Sequence, residues 1–597
     1  MVDRRLLDVA ITGLGGNDEQ RAAVLERGHC VVLAGPGSGK TKTLTIAMAR
    51  ALVEDVEEPR GIACITYNNE CAGELESRLA QLGIEPGERI FIGTVHSFAL
   101  TQIIFPYARC VMPELPVGLR AATDSERRIA VENAYARVIG DGCDPRDRWK
   151  YAEEKRRRDV DRSLPAWRER NPELADFIEA YEEELHSHGL IDFDDMPLMA
   201  LRIVREHEWV RQSLLAKFPA LFVDEYQDLG HALHELVQLL CFGAGLRLFA
   251  VGDPDQSIYR FQGANPHLLA SLAAQSEVRR IHLRFNYRCG SSIIDASMAV
   301  LGENRDYEGA PGAASGRIEF HSVAGDLEDQ ARKLFDVILP KLLNEGTPLD
   351  KVAVLYRWGK HGDPVAAAAR ARGIPLVRAD NNALVKRNSP MARFVEACAA
   401  WVSGGWRVAD PRFCRIATEA ASIVLGPGAS EEERLQIQDE LIGFLHPTID
   451  QNLSAHAWLM EFSRVLIVRW RARTRAVTDE WDVVDQMISR TDPAKRADAD
   501  MPLAHLGGRI EGTGRLNLST LHSAKGREFD VVFLFGMNGD ILPNYHDRKR
   551  DADMREARRL FYVGVTRARK TLHLMFEEGN KSDFVTEVFK RSKSRVR

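Results

Sequence analysis

Short apolar runs rich in β-branched residues recur along the first half of the chain, most of them closing on a glycine, an aspartate or a threonine. Their length and composition are typical of strands that are buried on both faces of a parallel sheet, and the stretches between them suit helices. The runs are CVVLAG from Cys30, GIACIT from Gly61, RIFIGT from Arg89, ALFVDE from Ala220 and RLFAVGD from Arg247. The pattern therefore predicts a parallel α/β sheet here.

A second set of similar runs follows in the rest of the chain. It consists of RIEFHSV from Arg317, KVAVLY from Lys351, LNLSTLH from Leu516, DVVFLFG from Asp530 and LHLMF from Leu572. We predict an α/β protein with two parallel sheets. The two sets of strands could be a duplicated fold, an interpretation that rests on the pattern alone.

Two long stretches without a strand signal interrupt the two sets, and each is predicted to be a mostly helical inserted domain. The predicted division is a first sheet domain from 1–100 and 190–285, its insertion 101–189, a second sheet domain from 286–386 and 510–597, and its insertion 387–509.

The first insertion carries a charge-dense segment that includes EKRRRDVDR from Glu154. Because its basic residues alternate with acids, the pattern favours a solvated helix face, with a duplex-binding patch as the alternative.

The composition limits the class of protein. With 597 residues the chain is long enough for roughly four domains, and its 45% apolar and 28% charged residues are those of a globular protein. The net charge of −6 excludes a histone-like basic binder, so any polyanion must be held by local basic surface.

The nine cysteines are scattered and never spaced C-x-x-C, which argues against a disulfide framework, a zinc ribbon or an iron–sulfur cluster. No apolar run has the length of a signal peptide core or a membrane span. We expect reduced thiols in a soluble, cytoplasmic protein with no membrane partner.

The strongest chemical signal is the segment AGPGSGKT, which follows the first strand and opens a helical stretch. In such a loop, glycines let backbone N–H groups converge on phosphate oxygens, the lysine reaches the β- and γ-phosphates, and the hydroxyl residue holds Mg²⁺. The segment predicts a site for ATP and Mg²⁺ made of Ala34, Gly35, Pro36, Gly37, Ser38, Gly39, Lys40 and Thr41.

The run ALFVDEYQD places Asp224 and Glu225 at the end of a buried strand, where ionised carboxylates are costly unless they meet a cation or water. We predict Asp224 as the second anchor for Mg²⁺ and Glu225 as the base that polarises the attacking water. Arg288 and Arg567 are candidates for the positive charge that phosphoryl transfer needs.

Ten motifs, in order, resemble those of the UvrD/Rep/PcrA-type DNA helicases of superfamily 1A. They are NDEQRAAV from Asn17, AGPGSGKT, ITYNNECAGEL from Ile65, GTVHSFAL from Gly93, DFDDM from Asp192, VDEYQD from Val223, VGDPDQSIYRFQGA from Val251, LRFNYR from Leu283, LSTLHSAKGREFDVVF from Leu518 and EARRLFYVGVTRAR from Glu556. The resemblance covers Asn17 to about Phe584 and implies two RecA-like P-loop motor domains.

The resemblance also implies roles for individual residues. Gln20 would read the adenine and Tyr287 would stack on it, Glu528 would contact the ribose, Gln256 would sense the γ-phosphate, and Arg288 and Arg567 would be arginine fingers. The implied contacts to single-stranded DNA are Tyr67, Thr94, His96, Tyr259, Phe261 and His522.

Four departures from the family pattern are visible. Phe261 stands where the family usually has Trp, and Gln262 where it has Arg, which predicts a smaller stacking platform. GMNGDILPN replaces a segment that contains Glu-Glu-Gly, and the second insertion has no recognisable Gly-Ile-Gly duplex-contacting motif.

The implied function is an ATP-dependent helicase that moves 3′→5′ along single-stranded DNA and meets single/double-strand junctions, in repair, replication or recombination. One alternative is a translocase that unwinds poorly alone. Another is a nucleic-acid-sensing ATPase subunit of a repair or phage-defence complex with a nuclease partner. The oligomeric state is left open.

Overall fold

The computed structural model describes residues 4–594 apart from the following positions: 67–68, 85–86, 88, 114, 117–118, 123, 170, 261–262, 303–304, 380–388, 409–410, 426–428, 452, 474–478, 495–500 and 508–513. All statements below concern the described residues.

The first sheet has six parallel strands in the order β3-β2-β6-β7-β1-β8. The strands are β1 His29–Ala34, β2 Ile62–Thr66, β3 Ile90–Thr94, β6 Ala220–Val223, β7 Arg247–Gly252 and β8 Val278–Leu283. The five predicted strands are confirmed. The sequence pattern did not predict the edge strand β8, because the exposed Arg279 and Arg280 interrupt its apolar run.

Alternate residues of these strands face two apolar layers, since side chains along a strand point to opposite faces. Val31, Ala63 and Leu221 pack on one side. Val32 and Cys64 pack on the other, against the helix that follows β1. We call this sheet and the helices packed on it the first lobe.

The second sheet also has six parallel strands, in the order β11-β16-β15-β12-β14-β13. The strands are β11 Arg317–Val323, β12 Val352–Tyr356, β13 Leu376–Ala379, β14 Leu516–Thr520, β15 Phe529–Leu534 and β16 Ala568–Glu577. It too is covered on both faces, and we call it with its helices the second lobe. The α/β class with two parallel sheets is confirmed; the short edge strand β13 was not predicted.

Two-residue strands form two further pairs, β4 Arg120–Ala121 with β5 Leu190–Ile191 and β9 Phe285–Asn286 with β10 Glu308–Gly309. The first pair corrects the prediction that 101–189 has no strand, because β4 lies inside that range. A pair this short carries no sequence pattern of its own.

Helices surround both sheets and fill the intervening segments. From the start of the chain into the first long interruption they are α1 Arg4–Thr12, α2 Asp18–Leu25, α3 Lys40–Arg50, α4 Asn69–Gln81, α5 Val95–Phe98 and α6 Phe105–Val111. Those that follow, up to the second interruption, are α7 Asp124–Val138, α8 Pro145–Arg158, α9 Ala166–Glu169, α10 Pro172–Ser187, α11 Asp195–Glu206, α12 Glu208–Lys217, α13 His231–Gln238, α14 Pro266–Ala273, α15 Ser291–Leu301, α16 Leu327–Lys333, α17 Leu339–Asn344 and α18 Asp363–Arg370.

Residues 390–506 form helices around a separate apolar core that includes Trp458, Trp470 and Trp481. These helices are α19 Pro390–Ala400, α20 Trp406–Val408, α21 Phe413–Leu425, α22 Glu431–Leu445, α23 Ala455–Phe462, α24 Val468–Arg471, α25 Asp479–Thr491 and α26 Leu503–Leu506, and α27 Asp551–Val565 and α28 Asp583–Ser594 then return to the second lobe. The local sequence determines where individual helices begin: Ser430 and Glu433 form a capping box at the N-terminus of α22.

A buried group of charges joins α8 and α10 to the start of α11, and we call it the insertion cluster: Arg156, Arg162, Glu182, Asp192 and Asp195. Arg156 is fully buried; its Nη1 lies 2.7 Å from Asp192 Oδ2 and its Nε 2.5 Å from Glu182 Oε1. The prediction of a solvated face for EKRRRDVDR is therefore wrong for Arg156 and for Lys155, which is also buried. The carboxylates that pair with Arg156 lie on other elements, which a local pattern does not show.

None of the nine cysteines, all of which are among the described residues, forms a disulfide. Cys110, Cys143 and Cys414 are exposed, Cys71 is half-buried, and the remaining five are buried. Within the described residues, no helix combines the length and the apolar character needed to cross a membrane.

Candidate nucleotide and nucleic-acid site

The loop between β1 and α3 has the backbone shape of a phosphate cradle. Gly37 and Gly39 have φ of +70° and +82°, a region that side-chain-bearing residues rarely adopt. A Cβ on Gly37 would lie 2.5 Å from Arg288 Cβ, and one on Gly35 would lie 2.7 Å from the Tyr307 ring. The loop therefore needs glycine both for its turns and for the close approach of these neighbours, and it presents the N-terminus of α3 to the site.

Lys40 begins α3, and its Nζ donates to the carbonyl oxygen of Ala34, 3.2 Å away. Ser38 closes the loop by donating its hydroxyl to the Gly35 carbonyl at 2.7 Å. The ammonium group of Lys40 acts electrostatically on Asp224 and Glu225. The segment predicted for phosphate and the acids predicted for metal and water are thus brought together.

Asp224 and Glu225 follow the last residue of β6, at the carboxyl edge of the first sheet. Glu225 has φ +50° and ψ +44°, a strained conformation for this residue type. Burial, reinforced by the charge of Glu225, raises the pKa of Asp224 to about 7. Burial alone would also raise the pKa of Glu225, but Lys40 and Lys525 outweigh it and hold that pKa at about 2. Glu225 is therefore ionised and able to accept a proton.

Lys525 of the second lobe reaches into this edge of the first sheet. Its Nζ lies 2.5 Å from Asp228 Oδ2 and donates to the carbonyl oxygen of Gln256 at 2.8 Å. Burial nevertheless raises the pKa of Asp228 to about 6. Sequence reasoning missed Lys525, although it stands inside LHSAKGREF, three residues after His522.

Gln256 and Arg567 also connect the two lobes. Gln256 lies in the turn Pro254–Gln256 after β7, and Arg567 follows α27. Arg567 Nη2 donates to Gln256 Oε1 at 3.1 Å, and Gln256 Nε2 donates to Asp253 Oδ2 at 2.7 Å. Burial lowers the pKa of Arg567 to about 10, so it stays charged at neutral pH.

The second candidate finger, Arg288, pairs with Glu528, Nε to Oε2 at 2.5 Å. Arg569 also pairs with Glu528. In this structure Glu528 thus holds two arginines, which keeps Arg288 against the glycine loop. Asn286, missed by sequence reasoning, supports the same region by donating to the Pro36 carbonyl at 2.7 Å.

The two residues predicted for adenine lie beside the loop. Gln20 is buried, and its Nε2 donates to the Ser38 carbonyl at 2.9 Å, so its amide braces the loop as well. Tyr287 is half exposed, its N–H donates to the Gly37 carbonyl at 2.8 Å, and its hydroxyl accepts from Asn17 Nδ2 at 2.9 Å. A flat, accessible ring fixed at the loop is a suitable surface for a purine.

The residues predicted for single-stranded DNA fall into two groups. Thr94 and His96 lie at the carboxyl end of β3, where Thr94 caps α5 and His96 meets the exposed ring of Phe193 at 5.5 Å between centroids. Tyr67 and Phe261 lie outside the described residues.

Tyr259 and His522 form the second group, where the lobes meet. The Tyr259 hydroxyl donates to the His522 carbonyl at 3.4 Å, and Lys525 Nζ lies 5.2 Å from the Tyr259 ring centroid. Burial lowers the pKa of His522 to about 4, so its ring is neutral. His522 lines a cavity of about 290 Å³ together with Arg357 and Asp547.

Comparison with known proteins gives two family matches. The UvrD/REP helicase N-terminal domain matches residues 16–277, and the UvrD-like helicase C-terminal domain matches residues 505–579.

Several curated proteins are similar over most of the chain. The ATP-dependent DNA helicase Rep of Escherichia coli (strain K12) is 26% identical over 93% of this chain and 89% of its own. The ATP-dependent DNA helicase PcrA of Staphylococcus epidermidis (strain ATCC 12228 / FDA PCI 1200) is 25% identical over 94% of this chain and 83% of its own. The ATP-dependent DNA helicase UvrD2 of Mycobacterium bovis is 28% identical over 95% of this chain and 79% of its own.

Proposed function

We propose that this chain, which belongs to the UvrD/Rep helicase family, is an ATP-dependent DNA helicase that couples ATP hydrolysis to movement along single-stranded DNA. The observation that carries the proposal is the set of contacts across the lobes, in which Arg567 and Lys525 of the second lobe meet Gln256 and Asp228 of the first. Binding and hydrolysis at this joint would change how the lobes sit together, which is what a motor requires.

In the hydrolysis step, the backbone N–H groups of the glycine loop and Lys40 bind the β- and γ-phosphates. Glu225, ionised beside Lys40, accepts a proton from the attacking water. Arg567 and Arg288 supply positive charge to the phosphate oxygens, which contributes on the order of 10³–10⁵ in rate where such arginines are measured.

The residues present fit Mg²⁺. Thr41, whose hydroxyl-bearing side chain is half-buried, follows Lys40 in the first turn of α3, and Asp224 is a buried carboxylate with a second carboxylate next to it. Oxygen ligands of this kind are those that Mg²⁺ prefers, and Thr41 and Asp224 would hold it. When bound, Mg²⁺ neutralises phosphate charge.

The proposed track for single-stranded DNA runs from Thr94 and His96 to Tyr259 and His522, with Tyr67 and Phe261 as further contacts. We propose movement in the 3′→5′ direction because QSIYRFQGA resembles the form of this motif in that branch of the family. The two sheet domains, with the boundaries given above, would be the motor domains, and the chain would act in the cytoplasm, where DNA and reduced thiols are expected.

The experiment is strand displacement by the purified protein on duplexes with a 3′ or a 5′ single-stranded tail, with and without ATP. We expect ATP-dependent displacement from the 3′-tailed duplex and little from the 5′-tailed one, and none with Lys40→Ala. Equal displacement from both tails would contradict the direction. An ATPase that single-stranded DNA does not stimulate would contradict the function itself.

A second candidate is a translocase or DNA-sensing ATPase that needs a protein partner, such as a nuclease, to unwind efficiently. The surface of 390–506 favours it, since several of its arginines are already paired with acids: Arg407 with Asp450, Arg464 with Glu461, Arg471 with Asp482 and Arg473 with Glu440. Phosphate contacts supply most sequence-independent DNA affinity, so a surface with paired arginines grips duplex weakly.

This candidate predicts strong stimulation of the ATPase by single-stranded DNA beside poor unwinding at moderate salt. Measuring both activities at two salt concentrations separates it from a self-sufficient helicase. Processive, salt-resistant unwinding by the monomer would rule it out.

A further inference from the structure

A buried glutamine outside the residues assigned so far lies between the water-polarising base and the joint of the two lobes. Gln227 is fully buried in the turn Tyr226–Asp228, directly after Asp224 and Glu225. Its Nε2 donates to the carboxylate of Glu225, and its Oε1 accepts from the backbone N–H of Asp253 at 2.9 Å. The single amide therefore connects the ends of β6 and β7.

The end of β7 is shaped for this amide. A Cβ on Gly252 would lie 2.6 Å from Gln227 Oε1, so glycine is needed for the amide to come so close. The Ser257 hydroxyl donates to the Gln227 carbonyl at 3.1 Å, which fixes the backbone of the turn from the same side.

The contacts continue without a break to the second lobe. Arg567 donates to Gln256 Oε1, Gln256 donates to Asp253 Oδ2, the Asp253 N–H donates to Gln227, and Gln227 donates to Glu225. The arginine and the backbone N–H can only donate, and this settles which way both glutamine amides face. Each glutamine amide therefore accepts one bond and donates the next, so that the first bond polarises the second, and between the two amides the link is the covalent frame of Asp253, from its carboxylate to its N–H.

We propose that Gln227 is a positioning residue for hydrolysis: it holds the Glu225 carboxylate and, through Asp253 and Gln256, makes its alignment depend on Arg567 of the second lobe. The proposal rests on the proposed function, in which Glu225 is the base. It adds that the base is aligned only while the two lobes are in contact, so that turnover is tied to the arrangement of the motor.

The test compares Gln227→Met, which keeps the side-chain length and loses both hydrogen bonds, with Gln238→Met as the matched control. Gln238 is a partly buried glutamine on α13 of the same lobe, whose amide contacts Gln275 at 3.2 Å, away from the site. The measurements are equilibrium affinity for a non-hydrolysable ATP analogue, kcat with and without single-stranded DNA, and the melting temperature.

For Gln227→Met we expect kcat to fall about 10- to 100-fold, the scale of a hydrogen bond to a charged group, with nucleotide affinity changed less than about threefold. Gln238→Met should change kcat less than about twofold. If Gln227→Met does not fold, Gln227→Glu decides the question, because it keeps an acceptor for the Asp253 N–H but offers Glu225 a like charge; it should lose kcat similarly.

The chain of hydrogen bonds from Arg567 to Glu225 is tested further by combining Gln227→Met with Gln256→Met. If both act through one chain of bonds, the double variant should have nearly the kcat of the worse single variant; independent roles would multiply the two losses. The proposal is overturned if Gln227→Met keeps kcat within twofold, if kcat, affinity and melting temperature fall together, or if the losses multiply. The wild-type protein is measured in the same assay. If single-stranded DNA stimulates its ATPase, the proposed function stands, and any of these three outcomes contradicts only the role of Gln227.

Discussion

Two groups of buried charges in this molecule use the same side chains in different ways. In the insertion cluster, burial opposes ionisation of Asp192, but the guanidinium group of Arg156 outweighs it and lowers the pKa of Asp192 to about 2. In the group at the edge of the first sheet, which we call the nucleotide-site cluster (Lys40, Asp224, Glu225, Asp228, Asp253, Lys525 and Arg567), burial raises the pKa of Asp228 and of Asp253 to about 6 each.

The difference teaches how to distinguish a structural charge cluster from a reactive one. Arg156 meets its carboxylates within one region of the fold, whereas the nucleotide-site cluster takes Lys525 and Arg567 from the other lobe. Perturbed groups of this second kind concentrate at functional sites. We therefore expect loss of a charge to reduce mainly stability in the first cluster and mainly turnover in the second.

The largest expected effect is on turnover in the nucleotide-site cluster. Glu225→Gln removes the proton acceptor and should lower kcat by about 10²–10⁴-fold while nucleotide still binds. Lys40→Ala should weaken nucleotide binding as well as stop hydrolysis. Nucleotide affinity and ATPase rate of both variants check this, and near-normal hydrolysis by Glu225→Gln would refute the assignment of the base.

In the insertion cluster, Arg156→Met should reduce stability by about 3–5 kcal/mol, because Glu182 and Asp192 would be left buried without their main partner. Arg158→Met is the control: its side chain is 56% exposed, and it should cost less than about 0.5 kcal/mol. Denaturant unfolding and hydrogen exchange in α8 and α10 measure the difference. Equal losses in the free energy of unfolding for the two substitutions would show that burial does not determine how much each arginine of this basic segment contributes to stability.

Lys525→Met tests the nucleotide-site cluster with a change that parallels Arg156→Met. It removes the partner of Asp228 and the contact to Gln256, and we expect kcat to fall about 10- to 100-fold. The melting temperature should fall less than in Arg156→Met, because the broken contact joins two lobes that each keep their own core. A larger loss of stability than of turnover would abolish the distinction between the clusters.

The smallest effect concerns acid stability. The native pKa of Asp192 is about 2, below its ordinary value. Its charge therefore stabilises the fold above about pH 4, and that contribution is lost as pH falls through the native pKa.

Asp192→Asn should cost about 1–2 kcal/mol at neutral pH, since the amide still accepts the Tyr181 hydroxyl. The difference in melting temperature between Asp192→Asn and the wild type should disappear as the pH is lowered from 4 to 2. A gap that does not change with pH would mean that packing, and not charge, is what Asp192 contributes.

The repeating apolar strands and the glycine loop could be predicted from sequence because each is local: a few consecutive residues carry the whole signal. The edge strands β8 and β13 were not predicted, because β8 exposes Arg279 and Arg280 and β13 spans only Leu376–Ala379. An edge strand needs no continuous apolar run, since one side of it is open to solvent.

The partners of single charges could not be predicted. Arg156 meets Glu182 and Asp192, which are 26 and 36 residues further along the chain, and Lys525 meets Asp228 across 297 residues. A pattern of charges states that such residues are basic or acidic; only the fold decides which of them meet. The roles assigned to individual site residues stay predictions. The structure brings most of the described ones to the glycine loop, the acids and the joint between the lobes, whereas Thr94 and His96 lie at the end of β3 and in α5.

The exposed cysteines of the natural chain are suitable positions for attaching fluorescent dyes. Cys143 lies two residues before α8 and Cys110 lies on α6, both within 101–189, and Cys414 lies in α21, within 387–509, so the three exposed cysteines fall in the two predicted insertions. Burial raises the pKa of the half-buried Cys71 thiol well above its ordinary value, which makes it a poor nucleophile towards maleimide dyes. Replacing Cys110 by serine would leave a donor–acceptor dye pair that reports the separation of the insertions, in single molecules, as nucleotide and DNA are added.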